Sequence, residues 1–170
     1  MLPISRPIIF LDLDGVLVTE WSLRREKQWL DPLTSFEPYD PACVEALNFI
    51  IAACNPRFVL HSNRRFQYSL KDLLAIWQAC AVHSSDLRLL KTYSQDDGEW
   101  FDHPNDEKAY DITAWLAERS ALMGGYVVID DEAIAVDCLI RTDEEKGLNA
   151  ADAATVIETL TGPKRDSASS

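Results

Sequence analysis

The chain alternates short apolar blocks with longer segments of helical period. Ile8-Ile9-Phe10-Leu11 is apolar, partly β-branched, and breaks off at Asp12-Leu13-Asp14-Gly15, the pattern of a buried strand whose carboxyl end opens into a polar loop. Val18 to Tyr39 carries Trp21, Arg24, Arg25, Lys27 and Trp29 without a clear period and reads as a long loop or small flap. Asp40-Pro41 sets a capping carboxylate before a proline suited to a first helical turn, and Val44, Leu47, Ile50, Ile51 and Cys54 recur at helical spacing until Asn55-Pro56. Phe58-Val59-Leu60 predicts a second strand that ends at His61-Ser62-Asn63, and Phe66, Leu70, Leu73, Leu74, Trp77 and Ala81 mark the next helix.

Leu87 to Leu90 predicts a third short strand. Residues 91 to 106, with Asp96, Asp97, Glu99, Asp102 and Asp106 at no regular spacing, read as a solvated acidic loop. A helix is expected from about Glu107 to Arg119, and Gly124-Gly125 then precedes a buried strand, Tyr126-Val127-Val128-Ile129, ending in Asp130-Asp131. Ala135 to Ile140 predicts a fifth strand, and Ala150 to Leu160, after Gly147, a last helix with Ala153, Val156, Ile157 and Leu160 on one face. Strand and helix alternating in this way predict an α/β fold: a Rossmann-like open parallel sheet with helices on both faces. One domain over residues 1–160 is expected, with residues 161–170 a polar, disordered tail.

Composition narrows the function classes. With 16 Lys+Arg against 28 Asp+Glu the net charge is −12, a field that opposes indiscriminate binding to nucleic acid or anionic membranes. The apolar run at Ile8–Leu11 is too short for a membrane span or a signal-peptide core, so a cytoplasmic protein without membrane attachment is expected. Cys43, Cys54, Cys80 and Cys138 lie far apart with no CxxC pair, which predicts reduced, mostly buried thiols rather than a zinc site or a disulfide framework.

In an open parallel sheet, ligands bind at the carboxyl ends of the strands. There the first strand delivers Asp12 and Asp14, the second Ser62 and Asn63, and the fourth Asp130 and Asp131. Carboxylates converging on one edge repel unless a cation lies among them, and hard oxygen ligands suit Mg²⁺. His61, His83 and His103 have no metal-ligand spacing and are expected to be structural or solvated. The aromatic residues at helical spacing are expected in the core.

These residues carry a resemblance. Ile8-Ile9-Phe10-Leu11-Asp12-Leu13-Asp14-Gly15-Val16 resembles the first motif of the haloacid dehalogenase (HAD) superfamily, Phe58-Val59-Leu60-His61-Ser62-Asn63 its second and Tyr126-Val127-Val128-Ile129-Asp130-Asp131 its fourth. Arg64-Arg65 and the stretch from Thr142-Asp143 to Gly147-Leu148 are similar to a small branch without a large cap domain, which includes HAD domains associated with RNA repair proteins. The resemblance implies a Mg²⁺-dependent phosphatase with Asp12 as nucleophile and Asp14 as general acid and base. It implies Ser62 as donor to a phosphoryl oxygen, with Gly15, Asn63, Arg64 and Arg65 also at the substrate. Asp12, Asp14, Asp130 and Asp131 are the implied metal-holding positions. The third motif needs only a Lys or Arg, for which Lys108 is the first choice and Lys91 the second.

With no large insert, the expected site is open. It suits a nucleotide, a nucleic-acid terminal phosphate or another small phosphoester, with Arg24, Arg25, Arg64 and Arg65 as a candidate basic mouth. The alternative is a phosphate-binding or regulatory module on the same fold that does not turn over.

Overall fold

The computed structural model describes residues 6–26, 39–119 and 124–162. The expected flap's residues 27–38 and most of the expected tail lie outside the described residues. Five parallel strands, β1 (Ile8–Leu11), β2 (Arg57–Leu60), β3 (Leu87–Leu89), β4 (Tyr126–Asp130) and β5 (Leu139–Arg141), form one sheet in the order β3-β2-β1-β4-β5. The helices are α1 (Glu20–Glu26), α2 (Pro41–Cys54), α3 (Leu70–Ala79), α4 (Tyr93–Asp97), α5 (Pro104–Arg119) and α6 (Ala150–Thr161), with a 3₁₀ turn at Asn63–Phe66.

Strand alternation divides the core into two layers. Ile9 and Leu11 of β1 join Phe58 and Leu60 of β2 and Val127 and Ile129 of β4 in one cluster, packed against Leu47 of α2, Trp77 of α3 and Val156 of α6. Ile8, Phe10, Val59 and Val128 point to the other face, where Ile112 and Trp115 of α5 cover them. Phe10 meets Trp115 edge to face at 5.3 Å between ring centres, and Phe58 meets Trp77 at 5.1 Å. Helices thus lie on both faces of the sheet, as its near-continuous apolar strands require. Among the described residues, the connections after β1 and β3 add only the short helices α1 and α4 to the sheet-covering α2 and α5, and no large cap stands over the strand ends.

The helix signals act where the sequence places them in α2, whereas α3 is shorter than its spacing predicts: Phe66 is exposed in the 3₁₀ turn and Ala81 lies beyond the helix at a left-handed φ of 59°. Asp40 accepts from the Ala42 N–H at 3.0 Å ahead of Pro41, and Asn55 closes α2 in the left-handed region at φ 44°. The structure departs from the sequence reading in the loops. The stretch after Val18 contains α1, started by a reciprocal pair in which Ser22 Oγ accepts from the Thr19 N–H and Thr19 Oγ1 from the Ser22 N–H. The acidic stretch is only partly loop: it contains α4, whose Tyr93 and Ser94 are buried, and α5 begins at Pro104 rather than Glu107. The fifth strand is shorter than Ala135–Ile140, because Cys138 adopts a left-handed φ of 58° and only the residues after it run extended beside β4. Of the cysteines, Cys43 alone is fully buried; Cys54 and Cys80 are partly covered and Cys138 is exposed. No helix among the described residues is long and apolar enough to cross a membrane.

The loop leading into α6 is tied to the one leaving β1. Leu148 N–H donates to Val16 O at 2.9 Å and Thr142 Oγ1 to Gly15 O at 2.8 Å. Gly147 makes this approach possible: its φ is 65°, and a Cβ there would lie 2.6 Å from both Val16 O and Cys43 Sγ. Gly147→Ala is therefore expected to destabilise the protein by about 2 kcal/mol, from left-handed strain and the clash together. Urea unfolding with an unchanged m-value and a lowered midpoint would show it.

Candidate active site

The register of the sheet builds the site. Leu11 lies opposite both Leu60 and Ile129, so the next residues, Asp12, His61 and Asp130, leave three adjacent strands side by side. Alternation sends all three side chains to the face that α5 covers, because Phe10, Val59 and Val128, two positions earlier, already point there. Their ligand atoms lie within 4.8 Å of one another, and all three residues are buried.

Lys108, in the early part of α5, reaches this cluster. Its ammonium is 2.8 Å from Asp12 Oδ2, 3.1 Å from Asp130 Oδ2 and 3.3 Å from Glu132 Oε2. Burial opposes a charge on Lys108, but Asp12 and Asp130 outweigh it and hold the ammonium protonated well above the ordinary lysine range. Burial likewise opposes charge on Asp130, but His61, through its hydrogen bond and its electrostatic pull, and then the Lys108 charge keep its carboxyl below the usual carboxylate range. Asp12 Oδ1 accepts from the Leu13 N–H at 2.7 Å, which fixes the carboxylate plane.

Asp131 stands over Gly15, where a Cβ would lie 2.3 Å from its Cγ; only glycine, here at φ 69°, admits it. Burial and the charges of Asp130 and Asp12 push the Asp131 carboxyl up to about 6. One ammonium therefore leaves negative charge in excess, and the donors are carboxylate oxygens. That combination fits a hard divalent cation such as Mg²⁺.

Above this floor lies the mouth. Asp14 is half exposed and paired with Arg64, whose Nε lies 3.1 and 3.0 Å from its two carboxylate oxygens and whose Nη2 is 2.6 Å from Oδ1. Ser62 is buried, caps the 3₁₀ turn by accepting from the Arg64 N–H at 3.4 Å, and keeps its own hydroxyl proton to donate.

Over residues 8–153 the sequence matches the model of a family described as the HAD domain in Swiss Army Knife RNA repair proteins. The chain belongs to this HAD family. No curated protein and no solved structure matches it. The match agrees with the parallel sheet and identifies a HAD domain of the phosphatase-type hydrolase fold.

The HAD domain brings Asp12, Lys108 and Asp130 into direct contact, with Asp131, Gly15, Asp14 and Ser62 at the same strand ends. Lys91 is elsewhere, exposed and paired with Asp96 at 2.7 Å, so of the two lysines Lys108 is the one at Asp12. Asn63 is exposed at the start of the 3₁₀ turn. Arg65 does not line the mouth. Its buried guanidinium donates to His61 O and Ser62 O and faces Asp111 of α5 at 3.7 Å, because the 3₁₀ turn directs successive side chains to opposite sides. Arg24 is bound to Glu20 at 2.5 Å on α1, and the Arg25 side chain lies outside the described residues. His83 and His103 are exposed. His61 is the residue that spacing along the chain missed; its signal was position, directly after a buried strand and in phase with the face that Asp12 uses.

Removing Lys108 leaves Asp12 and Asp130 buried without their ammonium. Lys108→Met is expected to destabilise the metal-free protein by about 3 kcal/mol at neutral pH. A carboxyl held low by folding adds stability that is present above its unfolded pKa and lost as pH falls through its folded one. The wild-type advantage over Lys108→Met should therefore shrink below the ordinary carboxylate range, as denaturation midpoints across acid pH would show.

Proposed function

We propose that the chain is a single phosphatase domain over residues 1–160, hydrolysing phosphomonoesters through an aspartyl-phosphate with Mg²⁺ as cofactor. The observation that carries this reading is the contact of Lys108 with both Asp12 and Asp130 at the strand ends of a HAD domain. Asp12, Asp130, Asp131 and the Asp14 main chain would hold the cation, which supplies charge to offset repulsion between the Asp12 carboxylate and the incoming phosphate.

In the first step an Asp12 oxygen attacks phosphorus and the ester P–O bond breaks, while Asp14 gives its proton to the leaving oxygen. In the second, Asp14 takes a proton from water, whose oxygen attacks the same phosphorus and returns Asp12 as carboxylate with release of phosphate. Lys108, 2.8 Å from Asp12 Oδ2, holds the attacking carboxylate in place. The Ser62 hydroxyl, with Gly15 and Asn63 beside it, donates to a phosphoryl oxygen, where negative charge accumulates.

The substrate class follows from the mouth and the family. A site with no large cap among the described residues accepts a phosphate at the end of a larger molecule, and the family is described from RNA repair proteins. Arg64, seated on Asp14, is the cation an arriving anion meets first, and its transfer to the substrate would free Asp14 for proton transfer. A nucleic-acid end is thus the proposed substrate, recognised locally against an overall charge of −12 that repels long polyanions.

Aryl phosphate hydrolysis tests the reaction class. Wild type should turn over with Mg²⁺ and stop with EDTA, and Asp12→Asn should lose about a thousandfold or more. Equal rates in wild type and Asp12→Asn would dismiss it. On oligonucleotides bearing a terminal phosphate, Arg64→Ala should lose about tenfold or more in kcat/KM, consistent with a charge-assisted contact of roughly 1.5–3 kcal/mol, and should flatten the salt dependence.

A further inference from the structure

His61 is wholly buried, and its Nε2 lies 2.8 Å from Asp130 Oδ2. The same oxygen takes the Lys108 ammonium at 3.1 Å, while Asp130 Oδ1, among the described residues, accepts the Glu132 N–H at 2.8 Å. Nδ1, on the far side of the ring, is buried and has no hydrogen-bond partner among the described residues. A proton there would be an orphaned buried donor, so the shared proton belongs on Nε2, where it is given to Asp130.

We infer that His61 is a positioning residue for the cation site, acting through Asp130 as a hydrogen-bond donor and not as a ligand. The inference rests on the reading of Asp130 as a metal-holding carboxylate. With His61 and Lys108 both on Oδ2, the carboxylate is fixed in rotation, and Oδ1 keeps spare lone-pair capacity. A ring that donates through Nε2 has no lone pair on that atom for a metal, although it lies close enough to Asp12 and Asp130 to complete a three-residue cluster.

The test uses the full chain without metal and then with Mg²⁺. Long-range ¹⁵N–¹H correlation on the metal-free protein should show His61 protonated at Nε2; a proton on Nδ1 instead overturns the inference whatever the metal does. Mg²⁺ titration by calorimetry should give a Kd about 10 to 100-fold weaker in His61→Leu than in wild type. His61→Gln, which can set an amide N–H near the Nε2 position, should recover most of that loss, while His61→Asn, with the same amide one carbon short, should not. Equal Kd values in wild type and His61→Leu, or in the Gln and Asn variants, overturn the inference. Circular dichroism checks folding, and if His61→Leu does not fold, the Gln and Asn pair decides. Absence of Mg²⁺ binding in wild type defeats the cation-site reading and this role for His61 with it, an outcome distinct from wild-type binding that the variants leave unchanged.

Discussion

Three parallel strands that end in register must put their next side chains next to one another. In this HAD domain, those side chains are two carboxylates and an imidazole, and the rest of the molecule is arranged around their mutual repulsion and desolvation. Parallel pairing of β1 with β2 and β4 makes the strands apolar on both faces, which leaves the strand ends as the place where polar groups emerge together. Alternation then assigns them to the α5 side, so a lysine near the start of that helix can neutralise them from within the protein.

The loops behave as braces for this crowded edge. The buried Arg65 guanidinium grips the His61 and Ser62 carbonyls, and Asp111, facing it from α5, also accepts the Ser94 N–H of α4 at 2.8 Å. One set of polar contacts therefore links the strand end, the 3₁₀ turn and two helices. On the opposite side, Thr142 and Leu148 hold the turn that carries Asp14 and Gly15. At the mouth Asp14 is half exposed and holds the mostly covered Arg64, in keeping with a rigid floor and an adaptable entrance.

Much of this was legible in the chain because the signals were local. The apolar blocks ended where the strands end, Asp40-Pro41 began a helix, and Asp12 and Asp130 stood at the strand ends that a parallel sheet brings together. Lys108 could be nominated but not separated from Lys91, since the distinction depends on how α5 returns across the sheet after Pro104. Arg64 and Arg65 look alike in sequence, while the 3₁₀ turn sends one to Asp14 and the other to the His61 and Ser62 carbonyls. The short helices α1 and α4 escaped since capping by Thr19 and Ser22, and burial of Tyr93, leave no period to detect. His61 was passed over because its meaning lies across strands, in a partner far away along the chain.

The two outer strands carry a consequence for the molecule in a crowded solution. β3 and β5 each offer only three residues of free backbone at the sheet's borders, with the exposed Arg88 in the middle of one and the exposed Arg141 at the end of the other. Strips so short and charged give a passing chain little to pair with, and a sheet otherwise rich in β-branched residues is protected from growing into its neighbours.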